Sequence, residues 1–244
     1  HDNPQKGRYR QFWQFDMDAI GSEKSNVDAP VIKTIYTTLE EAGAKNLFVT
    51  INSIGDKESR PAYIRELTNY YKKHLNELAP IDRERLKTNP LRILDSKEPE
   101  TKAINQHAPD SISYLSAAGK RHFKEVLEYL DEMNIPYQID KMLVRGLSYY
   151  THTVFEIIET NEEGQSMTIA GGGRYDYLGK QLGEWSGTYG SQATSENEFI
   201  GSITNYFRGR ASRGLPHACL WIDSLCNALL CDLCDATHQV NGPD

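Results

Sequence analysis

Cysteine is missing from most of this chain. None of the first 218 residues is a cysteine, and the four that occur, Cys219, Cys226, Cys231 and Cys234, all lie near the end. This distribution excludes a disulfide framework for the main body and favours a reducing, cytoplasmic location. Only Cys231 and Cys234 have the spacing of a metal-ligand pair, so we expect no metal site.

Long apolar runs and an excess of positive charge are also missing. No stretch approaches the roughly 20 apolar residues that a membrane-spanning helix needs. The net charge of -7 argues against a protein that holds nucleic acid by bulk electrostatics. Lys6, Arg8 and Arg10 form a local basic loop, which either contacts nucleic acid or is simply solvated. The composition, 39% hydrophobic and 25% charged, is that of a soluble globular protein.

The residues from Tyr9 to Ile20 alternate with the period of two that a half-buried strand imposes. One face of this strand would carry an aromatic ring, an amide and two carboxylates. Such a face is expensive to bury, because an unpaired carboxylate in a core costs several kcal/mol. We therefore predict either the floor of a polar cleft or a solvated sheet face. The members of this face are Phe12, Gln14, Asp16, Asp18 and Ile20.

Residues 1–56 are predicted to form the first part of a mixed core. After the first strand, Asp28 can cap a helix that Gly43 ends. A second strand is predicted over 47–51, followed by a glycine turn. The buried face of the helix is assigned to Val31, Ile32, Ile35 and Leu39.

Residues 57–140 are rich in charge and are predicted to form an inserted helical subdomain. Amphipathic spacing indicates helices over 61–78 and 112–133, with Lys, Arg and Glu on the outer face. The stretch between them, 82–100, is interpreted as a connector because prolines interrupt it.

Residues 141–184 are predicted to form the second part of the core, a long hairpin. Its second strand, SMTIAGGG, ends on Gly171 to Gly173, where the backbone must come close to another strand or a ligand. Residues 185–244 have no clear period and are interpreted as an atypical tail, produced by a reading-frame change, extreme divergence or disorder.

Three stretches, in order along the chain, resemble the signature motifs of the histidyl-tRNA synthetases, which are class II aminoacyl-tRNA synthetases. NPQKGRYRQFWQFDMDAIG resembles their second motif, LVRGLSYYTHTVFE their histidine-specific motif and GGGRYDYL the glycine-rich element that follows. NPLRILDSK also resembles part of their insertion domain. Three motifs in order over about residues 1–182 are far more specific than one. The resemblance implies an α+β fold, a mainly antiparallel sheet flanked by helices with an inserted helical subdomain, here incomplete.

The resemblance implies that the chain contributes to an ATP site. Arg145, in LVRGL, would lie on the α-phosphate, where a fixed cation stabilises the charge that builds as a carboxylate attacks and pyrophosphate leaves. Phe12 would stack on adenine, Arg8 would contact the ATP phosphates, and Mg2+ would accompany those phosphates. Lys6 and Arg10 would be available to the acceptor end of tRNA. The residues alone leave open that Arg145 is a surface or ion-paired arginine.

The same motifs imply a histidine pocket. Gln14 and Asp18 would accept the amino group of histidine, with Asp18 standing where the family more often has Glu. Tyr149 and Tyr150 would line the pocket, one of them bonding the imidazole, although paired tyrosines are also common as half-buried packing. The floor is assigned to the backbone of Gly171, Gly172 and Gly173 and to Arg174 and Tyr175.

The histidine-specific motif has two departures and one constraint. Ser148 replaces the usual Asp, and His152 replaces a frequent Gly. Arg145 and Tyr150 are five residues apart, so a regular strand would place their side chains on opposite faces. Both can face one site only if Gly146 interrupts the strand.

The implied activity is that of a histidine–tRNA ligase. Such an enzyme, a cytoplasmic homodimer, uses ATP to convert L-histidine to histidyl-adenylate and transfers the histidine to the 3′ end of tRNA(His). The family's first motif, the arginine of its second motif, its third motif and its anticodon-binding domain are not found in the sequence. We therefore expect a fragment that is inactive alone. Two alternatives stay open: a non-functional remnant, and a histidine-binding regulatory paralogue of ATP phosphoribosyltransferase, which typically lacks the helical insertion.

Overall fold

The computed structural model describes residues 15–20, 22–146, 149–178 and 198–203. All of these lie within one compact unit, Gln14–Asn205. Several residues with a predicted role lie outside the described residues: Lys6, Arg8, Arg10, Phe12, Gln14 and the four cysteines.

The described residues form one six-stranded sheet, with the spatial order β1-β6-β5-β4-β2-β3. Every neighbouring pair is antiparallel except β2 and β3, which are parallel. The prediction of a mainly antiparallel sheet flanked by helices is confirmed. The strands are β1 (Phe15–Ile20), β2 (Leu47–Ser53), β3 (Tyr137–Ile139), β4 (Thr151–Thr160), β5 (Ser166–Arg174) and β6 (Glu198–Ile203).

Six α-helices are described, and three of them lie where the sequence predicted a connector. That prediction is wrong. Pro99 occupies the first turn of a helix, where its missing N–H costs nothing, and Pro90 stands immediately before another. These prolines start helices instead of breaking them. The helices are α1 (Asp28–Glu41), α2 (Arg60–Lys73), α3 (Pro80–Thr88), α4 (Leu91–Leu94), α5 (Pro99–Asn105) and α6 (Ala117–Glu132).

Helix α1 covers part of the sheet with the apolar face that its periodicity predicts. Val31, Ile32, Ile35 and Leu39 are each at most 2% exposed, and the helix contacts β1, β5 and β6. It ends at Glu41, and Gly43 follows with a φ of 91°, a left-handed conformation that glycine adopts without strain. The predicted end of this helix is therefore confirmed.

The hairpin predicted for 141–184 is confirmed as β4 paired with β5. Its first strand starts only at Thr151, so residues 145, 146, 149 and 150 precede the strand as irregular backbone. The alternation of faces along a strand therefore does not apply to Arg145 and Tyr150, and both side chains can face the same site.

Two strands were not predicted. β3 lies within 57–140, the segment interpreted as a helical insertion, yet it pairs with β2 in the sheet. β6 lies within the segment interpreted as an atypical tail and pairs with both β1 and β5. Both strands pair with partners that are distant in sequence.

The segment that leads to Arg145 is held between two hydrophobic clusters. Met142 and Val144 pack against the core of the helical segment, which is built around Tyr63, Leu67, Tyr71 and Ile93. Leu143 is buried instead with Ile54, Tyr150 and Val154. Side chains packed on both sides fix the backbone that presents Arg145.

No helix among the described residues is both long enough and apolar enough to span a membrane.

Candidate functional site

Three tyrosine rings meet at the end of the hairpin where β4 begins and β5 ends. The ring centroids of Tyr149 and Tyr150 are 4.8 Å apart, and those of Tyr149 and Tyr175 are 5.9 Å apart in an edge-to-face arrangement. Tyr150 and Tyr175 are buried, whereas Tyr149 is half-buried between them. The three rings form a continuous aromatic wall of the kind that accepts a flat, partly apolar ligand.

One end of this wall carries a carboxylate from β1. The hydroxyl of Tyr175 donates to Oδ1 of Asp18 over 2.6 Å. Asp16, Asp18 and Ile20 are exposed, while Met17 and Ala19 are half-buried, which confirms the alternation predicted for this part of the strand. Because only one oxygen of Asp18 receives the tyrosine hydroxyl, the other is available to a ligand.

The other end of the wall carries a guanidinium. The Cζ atom of Arg145 lies 5.9 Å from the ring centroid of Tyr150, within cation–π range. Its Nη1 lies 2.8 Å from Oε1 of Glu156 on β4, so Arg145 is ion-paired, as one reading of the sequence allowed. Asp18, the three tyrosines and Arg145 thus form one connected cluster, with an anion at one end and a cation at the other.

The surroundings of Tyr149 favour the protonated form of its hydroxyl. Burial is the main cause that raises the pKa of this hydroxyl, to about 12, and the neighbouring Tyr150 adds to the effect. Tyr149 therefore keeps its proton at neutral pH and can donate or accept a hydrogen bond.

Gly171 to Gly173 are buried in β5, and two of them show the predicted close approach. A Cβ on Gly171 would lie 2.7 Å from Nη1 of Arg145, and a Cβ on Gly173 would lie 2.6 Å from the carbonyl oxygen of Thr153. Gly172 lies between them, opposite Phe155 on β4. The glycines are needed for approach to a neighbouring strand and to the arginine of the cluster.

The side chain of Arg174 lies in a buried ionic network. Its Nη1 donates to Asp28 over 2.5 Å and its Nη2 to Asp176 over 2.9 Å, while Nη2 also donates to the carbonyl of Ser22. Arg174 and Asp28 are at most 1% exposed. The prediction that Asp28 caps α1 is wrong, because no side chain caps this helix and the carboxylate turns to Arg174 and His122 instead. The network ties the segment after β1 to the end of β5.

A second arginine fixes the tyrosine pair from the side of α2. Nη1 of Arg60, the first residue of that helix, donates to the carbonyl oxygen of Tyr150 over 2.6 Å. Burial lowers the pKa of Arg60, and the hydrogen bond links the helical segment to the aromatic wall.

A family model described as histidyl-tRNA synthetase matches residues 1–192, which include the whole cluster. The chain belongs to the histidyl-tRNA synthetase family.

Individual members of the family are similar to this chain over three quarters of its length. The histidine–tRNA ligase of Thermosynechococcus vestitus is 46% identical over 183 residues, which are 75% of this chain and 42% of that protein. The Bacillus subtilis histidine–tRNA ligase is 43% identical over 184 residues, 75% of this chain and 43% of that protein. The chain thus spans about two fifths of the length of these relatives.

The fold is also that of a solved histidyl-tRNA synthetase. The crystal structure of the apo enzyme from S. aureus superposes with a TM-score of 0.63 at 33% identity, covering 85% of this chain and 49% of that one.

His152 was not predicted to have a role, although its replacement of a frequent family glycine is the signal that could have found it. Its φ of 48° is left-handed, which glycine tolerates best. Its ring lies 4.9 Å from that of His122, and its Nδ1 is buried with no hydrogen-bond partner among the described residues. Burial is the largest cause that lowers the pKa of His152; His122 and Arg174 lower it further, whereas Asp176 and Asp56 raise it.

The lowered pKa of His152 predicts a pH-dependent stability. The unfolded chain takes up a proton near pH 6.5, whereas the folded chain takes it up only at lower pH. As the pH falls below about 6.5, the free energy of unfolding should therefore fall, by up to about 1.4 kcal/mol per pH unit for one proton. In His152→Asn, which tolerates the left-handed backbone, denaturant titrations between pH 7 and 5 should show a smaller slope. His107→Asn, which removes an exposed histidine, is the matched control for the loss of one histidine. An unchanged slope in His152→Asn would contradict the assignment.

The sequence also predicts ligand contacts for Arg8, Phe12 and Gln14, but these residues lie outside the described residues. Within the described part of the chain, no group of three or more His, Cys, Asp or Glu side chains is placed to hold a metal ion.

Proposed function

We propose that the cluster from Asp18 to Arg145 binds L-histidine and the α-phosphate of ATP in a histidine–tRNA ligase. The whole protein would form histidyl-adenylate and transfer the histidine to the 3′ end of tRNA(His). The observation that carries this proposal is the continuous wall of tyrosines with a carboxylate at one end and a guanidinium at the other. An amino acid joined to a phosphate carries the complementary charges, a positive α-ammonium group at one end and a negative phosphate at the other.

The histidine end follows from the orientation of Asp18. Because the hydroxyl of Tyr175 holds one carboxylate oxygen, the other can accept a hydrogen bond from the α-ammonium group, a charge-assisted bond. Gln14 would add a second acceptor. Tyr149 and Tyr150 would line the imidazole, and Tyr149 keeps a proton with which to donate to it.

The phosphate end depends on Arg145. When the histidine carboxylate attacks the α-phosphorus and pyrophosphate leaves, negative charge develops on the non-bridging oxygens. A guanidinium already in place stabilises that charge without reorganising. In-line displacement at phosphorus needs positioning and electrostatic stabilisation more than it needs an acid or base from the protein.

The remaining parts of the proposal concern the whole protein. Phe12 would stack on adenine and Arg8 would contact the phosphates. Mg2+ would accompany the ATP phosphates, as the resemblance implies. The same proposal includes a homodimer, a cytoplasmic location and contact of the helical insertion with tRNA(His). It also includes the division of the chain into four segments, 1–56, 57–140, 141–184 and 185–244.

The helical segment supports the ligase over a regulatory paralogue of ATP phosphoribosyltransferase. Five helices, from α2 to α6, lie between β2 and β3, and the paralogues typically lack this insertion. Charging of tRNA(His) by a longer version of the protein would support the ligase, and failure to charge it would favour the paralogue.

Ligand-induced stabilisation tests the proposal on the chain itself. L-histidine should raise the thermal unfolding midpoint, because a ligand present at about 100 times its Kd stabilises the folded state by about 2.7 kcal/mol. L-alanine and L-tyrosine, which lack the imidazole, should raise it much less. Equal shifts with all three amino acids, or no shift with histidine or ATP, would overturn the proposal and favour a non-functional remnant.

Histidine-dependent pyrophosphate exchange by the purified 244-residue chain would refute the separate prediction that this chain is inactive alone.

A further inference from the structure

Glu156 faces the cluster from β4 and was assigned no role by the sequence motifs. Its Oε1 accepts from Nη1 of Arg145 over 2.8 Å, and its Oε2 accepts from the hydroxyl of Thr168 on β5 over 3.0 Å. Both side chains of the ion pair are about three quarters buried, with 24% and 25% exposed. Two fixed contacts on the two oxygens define the plane of the Glu156 carboxylate.

The backbone next to Glu156 is shaped for the guanidinium. Gly171 lies directly opposite Glu156 in the register of β4 and β5. A Cβ at this position would lie 2.7 Å from Nη1 of Arg145, closer than real Cβ atoms approach, and 3.2 Å from its Cζ, so the guanidinium would have to shift. The bare glycine leaves the space beside Glu156 that the guanidinium fills.

The donors of Arg145 are only partly used. Nη1 is held by Glu156, whereas Nε is buried and has no hydrogen-bond partner among the described residues. A buried donor without a partner is unfavourable. The guanidinium is therefore held in place by its ion pair, with a donor left for an acceptor that the described residues do not supply.

We infer that Glu156 is a positioning residue: it holds the Arg145 guanidinium over Gly171, and Thr168 locks the carboxylate that does so. This inference rests on the proposed function, in which Arg145 contacts the α-phosphate. Glu156 itself does not touch the phosphate in this scheme, since a carboxylate would repel it. The role of Glu156 therefore requires that phosphate binding gains more from a fixed guanidinium than it loses from the nearby negative charge.

The position of Arg145 can be tested without any ligand. In the 15N-labelled full chain, the Nε–H signal of Arg145 is the one that disappears in Arg145→Lys. In the wild type this Nε–H is buried and should exchange slowly with water. In Glu156→Gln, Nη1 loses its charged partner, so the guanidinium is held less firmly and the Nε–H should exchange at least about tenfold faster. Thr168→Val should shift exchange in the same direction by less, and Thr168→Ser, which keeps the hydroxyl, should restore it. An unchanged signal in Glu156→Gln would overturn the inference.

The consequence for phosphate is tested by comparing AMP with adenosine. The Kd for adenosine divided by the Kd for AMP isolates the contribution of the phosphate. In Glu156→Gln this ratio should fall about tenfold, while the Kd for L-histidine stays unchanged. Glu163→Gln, in the turn at the opposite end of the hairpin, is the matched control. If Glu156 only neutralises Arg145, its replacement should tighten AMP binding, which would contradict the inference. If AMP binds the wild type no better than adenosine, the phosphate role of Arg145 fails, while the exchange measurement still decides whether Glu156 positions it.

Discussion

Replacing Arg174 by glutamine is expected to lower the free energy of unfolding by about 3–5 kcal/mol, because it leaves Asp28 and Asp176 as buried carboxylates without their cation. Folded domains have only about 5–15 kcal/mol in total. Burial lowers the pKa of Arg174, but the two carboxylates outweigh it and raise that pKa. Chemical denaturation followed by circular dichroism measures the change.

The controls for Arg174 separate a buried network from an ordinary ion pair. Lys97→Gln breaks an exposed pair with Asp95 and should cost at most about 1 kcal/mol. The double variant Arg174→Gln with Asp28→Asn should cost less than the sum of the two single variants, since it removes both the cation and one of its carboxylates. Additive losses, or a loss as small as that of Lys97→Gln, would show that the network does not carry the stability assigned to it.

Replacing Asp18 by asparagine is expected to raise the Kd for L-histidine by about 10- to 100-fold. The change keeps the shape of the side chain and an oxygen for the Tyr175 hydroxyl, but it removes the charge that receives the α-ammonium group. A hydrogen bond to a charged group contributes about 1.5–3 kcal/mol. Isothermal titration calorimetry measures the change.

A ligand without the amino group provides the control for Asp18. Deamino-histidine, which keeps the imidazole and the carboxylate, should bind the wild type and Asp18→Asn with similar affinity. Glu163→Gln, far along the hairpin, should leave the Kd for L-histidine unchanged. A loss of affinity for both ligands in Asp18→Asn would indicate that the variant disturbs the aromatic wall instead of the contact to the ammonium group.

Local patterns predicted the elements that are stabilised locally. The apolar positions of α1 and its glycine end, and the hairpin of β4 and β5, follow from periodicity and turn residues. The helices α3 to α5 were missed because a proline in the first turn of a helix looks the same in sequence as one that interrupts it. β6 was missed because its strand is defined by two distant neighbours, β1 and β5.

The residues of the candidate site were likewise predicted only where a local sequence motif identifies them. Arg145, Tyr149, Tyr150 and Tyr175 were selected by motif, and the structure brings them together with Asp18. Contacts between polar groups far apart in sequence could not be selected that way. Asp28 was interpreted as a cap from its place at the start of a helix, whereas its partner Arg174 lies 146 residues away.

We propose that one cluster binds histidine at its Asp18 end and phosphate at its Arg145 end. Calorimetry should give Kd values for L-histidine, AMP and a stable histidyl-sulfamate analogue of the adenylate on the wild type, Asp18→Asn and Arg145→Gln. We expect a crossed pattern: Asp18→Asn weakens binding of histidine but not of AMP, Arg145→Gln weakens binding of AMP but not of histidine, and each variant weakens binding of the linked analogue. If each variant weakens all three ligands equally, or neither weakens any, the cluster is not the site proposed.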